Sequence, residues 1–215
     1  MKMMSMPVLC LGFLSIGSCD PYAIQGSGHS KTESRALASF SRIDLAGSPE
    51  VEVAVGPAAS VAVTTDDNIL TNIVTTVEGQ TLKIKTKHSY NTSLGVKVTI
   101  TVPALNGVAV FGSGNIHVAG LKAGDLEARV TGSGDVVLKG VADRLNASIT
   151  GSGDLRAGDL AAKNVQVAVT GSGDAAVRAT EQLDAKVTGS GNVRYSGNPS
   201  QVRHKVTGSG VIDPL

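Results

Sequence analysis

Residues 131–192 read TGSGDVVLKGVADRLNASITGSGDLRAGDLAAKNVQVAVTGSGDAAVRATEQLDAKVTGSGN. The tetrapeptide Thr-Gly-Ser-Gly opens this stretch and returns at Thr150, Thr170 and Thr188. Each copy is followed by Asp or Asn. Such regular recurrence of a specific motif indicates a repeated structural unit.

The repeat continues on both sides of this stretch. From residue 107 onward, Gly-Ser-Gly begins at Gly112, Gly132, Gly151, Gly171, Gly189 and Gly208, at intervals of 20, 19, 20, 18 and 19 residues. The first copy follows Phe111 and the last precedes Val211, so the two ends of the series are degenerate. A period near 20 residues predicts a stacked array, in which each repeat buries its apolar face against its neighbours.

Apolar and polar residues alternate between the Gly-Ser-Gly motifs, which is the pattern of β-strands. The apolar positions before successive motifs are Leu126, Ala128 and Val130; Leu145, Ala147 and Ile149; Val165, Val167 and Val169; and Leu183, Ala185 and Val187. After the motif the alternation resumes, for example at Val136 and Leu138. Each repeat is therefore predicted to be a strand, a Gly-Ser-Gly corner, a second strand and a looser turn such as residues 141–144.

The length of the repeat suits one coil of a solenoid. At about 3.3 Å per residue, 19 residues make a contour of roughly 60 Å, with successive coils about 4.8 Å apart. Glycine fits a sharp corner at which stacked backbones approach closely. Propeller blades, leucine-rich repeats, hexapeptide coils and calcium-binding nonapeptide repeats have different periods or motifs. The predicted fold is all-β: a single-stranded right-handed parallel β-helix (β-solenoid) with coils of about 18–20 residues.

Residues 40–104 are less regular but also alternate. Gly47-Ser48-Pro49-Glu50 resembles a degenerate corner, and it precedes Gly112 by 65 residues, close to three coils. We therefore predict one β-helix domain over residues 40–215, with residues 88–94 as a protruding loop. At its C-terminal end, Asp213 and Pro214 are expected to blunt an edge that could otherwise recruit further strands.

The N-terminus has the features of a lipoprotein signal peptide, predicted over residues 1–18. Lys2 precedes an apolar stretch over residues 6–16, and Ile16-Gly17-Ser18-Cys19 resembles the bacterial lipobox. Cys19 is accordingly the predicted lipidation site and membrane anchor; the chain's other cysteine, Cys10, lies inside the signal. An ordinary cleaved signal and an uncleaved anchor remain alternatives. Residues 19–39 are polar and are predicted to form a flexible tether of roughly 25 Å.

Composition argues against two classes of partner. The chain has 19 Lys and Arg residues against 18 Asp and Glu, so it lacks the basic surplus of a nucleic-acid-binding protein. Aromatic residues make up 3% and tryptophan is absent, which argues against an aromatic-lined ligand pocket and against a platform on which sugars stack.

Asp135, Asp154 and Asp174 should stack in a column, flanked by Asn115 and Asn192. Stacked like charges repel, which raises the possibility of a bound Ca²⁺. Alternatively, such residues satisfy local backbone N–H groups after the corner, and nearby cations soften the repulsion; the candidates are Lys139, Arg156 and Arg178. A single carboxylate per coil offers few ligands for Ca²⁺, so we predict neither a metal nor another cofactor.

Nothing in the sequence has the spacing of a catalytic site. Some right-handed β-helices cleave acidic polysaccharides, and this class of enzyme is the alternative to a binding protein. The predicted turns are too short to build a cleft, however. His117 is expected to point outward, and His204 occupies the inward slot that Ala128, Ala147 and Ala185 hold in earlier coils. We predict no catalytic residue and no enzyme activity.

A column of threonines lies on the predicted outer face: Thr131, Thr150, Thr170, Thr188 and Thr207. These side chains could simply pack against one another across strands, at about 0.2–1 kcal/mol per pair. They could equally contact a glycan or an envelope protein, because solenoids bind partners along extended faces. The sequence leaves both interpretations open.

Several motifs together resemble the family called head GIN domain, putative autotransporter adhesin. They are Phe40-Ser41-Arg42-Ile43, the Asp66-Asp67-Asn68 turn, Gly79-Gln80-Thr81-Leu82-Lys83-Ile84, Val102-Pro103-Ala104-Leu105 and the Gly-Ser-Gly-Asp corners. The resemblance implies a right-handed β-helix and a lipoprotein of the bacterial envelope, and it carries no catalytic residue. The expectation is an exported, lipid-anchored solenoid with a non-catalytic binding, adhesion-like or structural role.

Overall fold

A computed structural model describes residues 23–215. The predicted signal peptide and Cys19 lie outside this range. The described chain contains seventeen strands and one short 3₁₀ helix, Leu70–Asn72. The strands are β1 (Ile24–Gln25), β2 (Ser30–Ser34), β3 (Arg42–Gly47), β4 (Glu50–Val55), β5 (Ser60–Asp66), β6 (Ile73–Glu78), β7 (Thr81–Thr86), β8 (Tyr90–Asn91), β9 (Lys97–Val102), β10 (Gly107–Gly112), β11 (Asn115–Gly132), β12 (Val136–Gly151), β13 (Leu155–Gly171), β14 (Ala175–Gly189), β15 (Val193–Ser196), β16 (Gln201–Gly208) and β17 (Ile212–Pro214).

Stacked corners define the solenoid. The first glycines of successive corners pair in register; they are Gly47, Gly112, Gly132, Gly151, Gly171, Gly189 and Gly208. Each corner joins an A strand before it to a B strand after it. Coil 1 is β3 and β4, coil 2 begins with β10, and coil 7 is β16 and β17. β11 to β14 each run from the B strand of one coil into the A strand of the next. Pairing between these coils is parallel, so the predicted β-solenoid is confirmed.

Within β11 to β14, the connection from a B strand to the next A strand is not the predicted loose turn, whereas residues 197–200 between β15 and β16 lie outside any strand. Lys122, Val141 and Ala161 pair in register in successive coils, so this segment forms a third side of the solenoid. Leu121 and Ala142 are buried on it. Stacking explains the difference, because the backbone polar groups of one coil find partners in the adjacent coil and the chain stays extended.

The N-terminal end departs from the predicted run of three coils. After coil 1 the chain leaves the stack: β7 and β9 pair in parallel with β3 and β4 on the side opposite coil 2. β6 then pairs antiparallel with β7, β5 with β9, and β2 with β5. Of these pairs, only β6 and β7 are joined by a hairpin turn; the other two antiparallel pairs join strands that are distant in sequence. Together these strands form an antiparallel cap, which covers the strand edges of the layer formed by β7 and β9. Residues 88–94 connect β7 to β9, and within them β8 pairs with β1.

The predicted tether is wrong for its described part, residues 23–39. Ser30–Ser34 forms β2 and pairs with β5, and Ile24–Gln25 pairs with β8. The polar composition that suggested a linker is that of an edge strand whose side chains are mostly exposed. The domain therefore begins before residue 40.

Aliphatic side chains fill the interior, as the alternation predicted. Ile43 and Leu45 of β3 are completely buried, and the equivalent apolar positions of coils 2–6 are buried as well. Phe40 is the one aromatic side chain buried in the described chain. Fully burying one Val or Leu side chain contributes about 1.5–3 kcal/mol, so each coil is stabilised mainly by its neighbours. No helix within residues 23–215 has the length and hydropathy needed to cross a bilayer.

Candidate functional site

The two glycines of a corner are required for different reasons. Gly151 has φ of +122°, and a Cβ there would lie 2.4 Å from the carbonyl oxygen of Gly132. A Cβ on Gly153 would lie 2.1 Å from the carbonyl oxygen of Gly134. The first glycine therefore supplies a conformation that other residues rarely adopt and also makes room for the preceding coil, whereas the second is required for that space alone.

Backbone hydrogen bonds connect the corners along the solenoid axis. The carbonyl oxygen of Gly132 accepts from the N–H groups of both Ser152 and Gly153, at 2.9 and 3.1 Å. The same pair of bonds recurs at each corner from Gly112 to Gly189. This close stacking is why a side chain at the second glycine has no space.

The Asx residue after each corner bonds to the next coil. Asp135 Oδ1 accepts from the backbone N–H of Asp154 at 3.1 Å, and Asp154 Oδ1 accepts from that of Asp174 at 3.1 Å. Asn115 begins this ladder and Asn192 ends it by accepting from the N–H of Val211. The prediction that these residues accept from backbone N–H groups is confirmed, but the prediction that those groups lie in the local turn is wrong, because they belong to the following coil.

The second oxygens of the carboxylate column face an arginine. Arg156 Nη2 lies 3.2 Å from Oδ2 of both Asp135 and Asp154. Lys139, also expected to soften the repulsion, pairs instead with Asp159 at 3.2 Å. Within residues 23–215, no group of three His, Cys, Asp or Glu side chains has the arrangement of a metal site. The geometry thus favours a ladder of hydrogen bonds and ion pairs.

A polar groove runs along the outer face of the A strands. It is formed by two columns of side chains in register. The first comprises Asp125, Arg144, Asn164, Gln182 and Gln201. The second comprises Arg42, Gly107, Glu127, Asn146, Gln166, Asp184 and Arg203. Together they hold five carboxamides, three carboxylates and three guanidinium groups, so the groove is polar and has no net charge.

Ion pairs shape the N-terminal half of the polar groove. Arg42 reaches over Gly107 to Glu127, with 2.6 Å between Nη2 and Oε2. Arg144 lies 2.9 Å from Asp125. Between these pairs is a depression of about 570 Å³, and a second one of about 220 Å³ continues along coils 4–7. Both depressions include Arg144, so the groove is continuous along the solenoid.

The C-terminal half of the groove offers unused hydrogen-bonding groups. Within the described chain, the side-chain amides of Asn146, Gln166 and Gln182 have no protein hydrogen-bond partner. A carboxamide donates and accepts at the same time, and Asp and Arg side chains bond through two atoms. Such groups suit pairs of neighbouring hydroxyls on a ligand.

The threonine column borders this face. Thr131, Thr150 and Thr170 pair in register and are exposed, and the column continues to Thr207. It contributes a flat row of hydroxyls without a depression. The polar groove is therefore the better candidate for a ligand.

A buried carboxylate fastens the N-terminal segment to the cap. Asp66 Oδ1 accepts from the N–H of Gly28 at 2.6 Å, and Asp66 Oδ2 accepts from the Thr92 hydroxyl. These hydrogen bonds lower the pKa of Asp66, with the Thr92 hydroxyl as the main cause. Gly26 also packs against this carboxylate, since a Cβ there would lie 2.6 Å from Oδ1.

The rest of the Asp66-Asp67-Asn68 turn completes this clamp. The Ser27 hydroxyl donates to Asp67 Oδ1 at 2.5 Å, and the Ser27 N–H donates to Asn68 Oδ1 at 3.0 Å. Asn68 Nδ2 donates to the carbonyl oxygen of Gln25 at 2.7 Å. We call residues 66–68 and the segment 25–28 the N-terminal clamp.

The remaining candidates from the sequence are dispersed. His117 points outward as predicted, and His204 pairs in register with Ala185 and is exposed. Cys19 lies outside the described residues. Sequence reasoning missed the polar groove, because its members look like ordinary outward positions of strands. The repeated amides at two fixed distances before each corner were the available signal.

Comparison with protein families shows one match. The model of the family "Putative auto-transporter adhesin, head GIN domain" matches residues 39–199. None of the curated proteins compared with the chain matches it.

Solved structures also match this chain. A putative adhesin from Bacteroides fragilis NCTC 9343 is 27% identical, with a TM-score of 0.74 over 90% of this chain and 100% of its own. A putative lipid binding protein from Parabacteroides distasonis ATCC 8503 is 25% identical, with a TM-score of 0.56 over 90% of this chain and 99% of its own. A putative adhesin from the same organism, 24% identical with a TM-score of 0.59 over 90% of this chain and 100% of its own, shares the fold.

Proposed function

Because this chain belongs to the head GIN domain family of putative auto-transporter adhesins, we propose that it is an exported protein of the bacterial cell envelope that binds a glycan polymer along its polar groove. Lipidation of Cys19 anchors it to the membrane. The adhesion-like role agrees with the family. The observation that carries the glycan assignment is the continuous row of carboxamide, carboxylate and guanidinium groups across the coils, which has no net charge.

The spacing of the groove suits a polymer rather than a small molecule. A chain lying along the solenoid axis meets new polar side chains about every 4.8 Å. Each contact is a hydrogen bond of modest net strength, about 0.5–1.5 kcal/mol, so several coils must contribute together. Aromatic stacking plays no part in this groove, because both columns lack aromatic residues.

The N-terminal clamp sets how an anchored domain would stand on the membrane. β1 begins at Ile24, five residues after Cys19, and five extended residues span at most about 18 Å. A lipid on Cys19 therefore keeps the capped end close to the bilayer, with coil 7 directed away from it. The polar groove then runs outward from the membrane along the solenoid axis.

Binding without turnover is part of this proposal. Within the described chain, the groove brings no nucleophile beside a histidine, and two of its three carboxylates, Asp125 and Glu127, are paired with arginines. Incubation with polyuronides and neutral glycans should leave their chain lengths unchanged. Shortened products that appear with the purified protein and disappear with a groove variant would contradict it.

The glycan assignment is tested on a glycan array with two matched double variants. Asn146→Ala with Gln166→Ala removes two amides from the polar groove, whereas Thr150→Val with Thr170→Val alters the threonine column of the same coils. Both keep the inward residues, so circular dichroism and melting temperature should match the parent protein. We expect binding to fall at least tenfold for the groove variant only, which is about 1.4 kcal/mol. Equal losses in both variants, or no glycan bound by the parent, would refute the assignment.

The anchor is tested separately with Cys19→Ser. Metabolic labelling with a fatty acid should mark the parent protein and leave the variant unlabelled. Detergent-phase partitioning should follow the label. An unlabelled parent protein would show that Cys19 is an incidental residue of an ordinary signal, without affecting the glycan assignment.

A further inference from the structure

Coil 7 exposes the open end of the solenoid. Within the described chain, β16 pairs only with β14, and all of its residues are exposed. Val202, His204 and Val206 occupy the inward positions that Leu183, Ala185 and Val187 hold, buried, one coil earlier. The edge of β16 thus presents free backbone groups beside uncovered apolar side chains.

Several apolar side chains are exposed to solvent at this end of the solenoid. Val202 is 39% exposed, Val206 38% and Leu215 71%. Every inner coil covers the equivalent side chains with the next coil. A further strand placed on β16 would bury them and would also pair with the backbone edge, as happens when extended peptides add to sheets.

Charge indicates the chemistry of that strand. The outward residues Arg203 and Lys205 are both cationic; Arg203 pairs in register with Asp184, whereas Lys205 pairs in register with Lys186. In residues 23–215, none of the Arg203, Lys205 and Lys186 side chains forms a salt bridge. Like charges directly opposite on adjacent strands destabilise the pairing, so an acidic side chain beside Lys205 would relieve it.

A second copy of this chain fits the edge less well. Antiparallel pairing of two β16 strands about His204 would set Arg203 of one copy opposite Lys205 of the other. It would also bring the two His204 side chains together. The contacts between Arg203 and Lys205 join groups of the same charge, which opposes self-association through this edge.

We propose that coil 7 binds an extended polypeptide segment as an additional strand. Its apolar side chains cover Val202 and Val206, and its acidic side chains lie beside Arg203 and Lys205. The added strand would lie on the free edge of β16, whereas the polar groove lies on the outer face; the two surfaces share Arg203, and the proposal goes beyond glycan binding.

The test measures fluorescence anisotropy of three labelled octapeptides with the purified protein. The first alternates Val and Glu, the second alternates Val and Lys, and the third keeps four Glu residues but has Pro in place of two Val residues. Proline removes donors and disrupts strand pairing, while the charge stays the same. We expect the Val-Glu peptide to bind at least about tenfold more tightly than either control, because charge and strand pairing are both required.

Two protein variants locate the binding site. Lys205→Glu should weaken binding of the Val-Glu peptide about tenfold and improve that of the Val-Lys peptide. Arg129→Glu makes the same charge change in the same outward column of coil 3, where both strand edges are paired, and should leave binding unchanged. Bound peptide should also slow amide hydrogen exchange within residues 201–208.

Contrary results are clear. Equal binding of the Val-Glu and proline-containing peptides would show attraction by charge alone, and no binding by any peptide would also overturn the proposal. Self-association that depends on protein concentration and is altered by Lys205→Glu would identify a second copy as the occupant. In each case the glycan measurements with the groove variant are unaffected.

Discussion

The two ends of the solenoid are built differently. At the N-terminal end, β2 pairs antiparallel with β5, β5 with β9 and β6 with β7, and these strands close the stack. Phe40 and Ile69 are buried under this cap. At the C-terminal end, β16 and β17 continue the parallel pattern to an open edge. The chain uses residues 56–106 to build the cap and adds no comparable segment after coil 7 within the described range.

This difference shows what a regular coil can and cannot do. A coil is stabilised by the coil on each side. Each kind of corner residue is explained by its contact with one of these two coils. The glycines make room for the preceding coil, and the Asx residue bonds to the following one. Pro49 stands where the later corners have their second glycine. A side chain is tolerated there because the layer before coil 1 has the connection formed by residues 87–96 in place of a Gly-Ser-Gly corner. Val211 needs no Asx side chain, because no described coil follows.

The largest effect is expected from a side chain at an inner corner. Gly153→Val places atoms against the carbonyl oxygen of Gly134 and should lower the free energy of unfolding by more than about 4 kcal/mol or prevent folding. Ser152→Val, at the exposed neighbouring position, should change it by less than about 0.5 kcal/mol. Denaturant unfolding of the two variants compares them directly.

The same substitution at the open end provides the contrast. A Cβ on Gly210 would lie 2.0 Å from the carbonyl oxygen of Gly191, yet coil 7 can shift outward because nothing covers it. Gly210→Val should therefore loosen coil 7, seen as faster hydrogen exchange, with a smaller loss of global stability than Gly153→Val. Equal losses at both positions would show that the open coil is as rigid as an inner one.

Core truncation should also separate the two ends. Phe40 is 7% exposed under the cap, and Phe40→Ala should lower the free energy of unfolding by about 3 kcal/mol. Val206→Ala, in the open coil, should cost less than about 1 kcal/mol because the side chain is already partly hydrated. Thermal unfolding measures both. A larger loss for Val206→Ala would mean that the C-terminal end is covered in solution.

Acid should weaken the capped end first. Hydrogen bonds from Thr92 and Gly28 hold the pKa of Asp66 below its ordinary value of 3.8. The carboxylate therefore stabilises the fold at pH values above the ordinary pKa, and this contribution is lost as the pH falls below 3.8 towards the lowered pKa. Asp66→Asn should reduce stability at neutral pH and flatten the loss of stability in acid.

Hydrogen exchange would assign this effect to the cap. Protection of residues 26–34 should fall in Asp66→Asn, because the N-terminal clamp loses an acceptor. Asp213→Asn at the open end should leave both the acid dependence and this protection unchanged. A parallel acid profile for the parent and Asp66→Asn would be evidence against the clamp.

A smaller change is expected in the Asx ladder. Asp154→Ala removes the acceptor for the N–H of Asp174 and should cost about 1 kcal/mol. Asp154→Asn keeps an acceptor oxygen and should cost less than about 0.5 kcal/mol, since its partner Arg156 is exposed. Val211→Asn should bring no gain, because the N–H that it would serve is missing. A gain for Val211→Asn would require another strand beyond coil 7.

The smallest effect should come from calcium. The Asp135, Asp154 and Asp174 side chains accept backbone hydrogen bonds, and Arg156 forms ion pairs with the first two. Melting temperatures with Ca²⁺ and with EDTA should agree within about 1 °C, since a ligand raises stability only when it binds the folded state. A clearly higher melting temperature with Ca²⁺ would indicate that the column of aspartates binds this cation.

The regular part of the fold could be predicted because its determinants are local. Leu145, Ala147 and Ile149 alternate with polar residues within one strand, and every coil repeats the same arrangement beside itself. The corner glycines repeat for the same reason. The cap could not be predicted in this way, because the antiparallel pairing of β5 with β9 and of β6 with β7 leaves the same alternating pattern as a parallel coil.

The candidate sites follow the same division. The Asp column was visible from its spacing, and its hydrogen-bonding role followed from the chemistry of Asx residues. The polar groove was not visible, since Asn146 and Gln166 become neighbours only when the coils stack in register. Ser27 and Asp67 are likewise forty residues apart in sequence, and their contact turns a predicted tether into part of the domain.

The amino-acid sequence alone therefore determined the strand, corner and coil, because each depends on contacts between a repeat and an identical neighbour. The tertiary structure decided how the stack begins, which surface carries a groove and which edge stays open. These features depend on pairing between segments that differ in sequence and lie far apart in the chain. A periodic pattern does not identify which of these segments pair. The physical reason is that β-strands specify which face is buried far more strongly than which strand lies beside them.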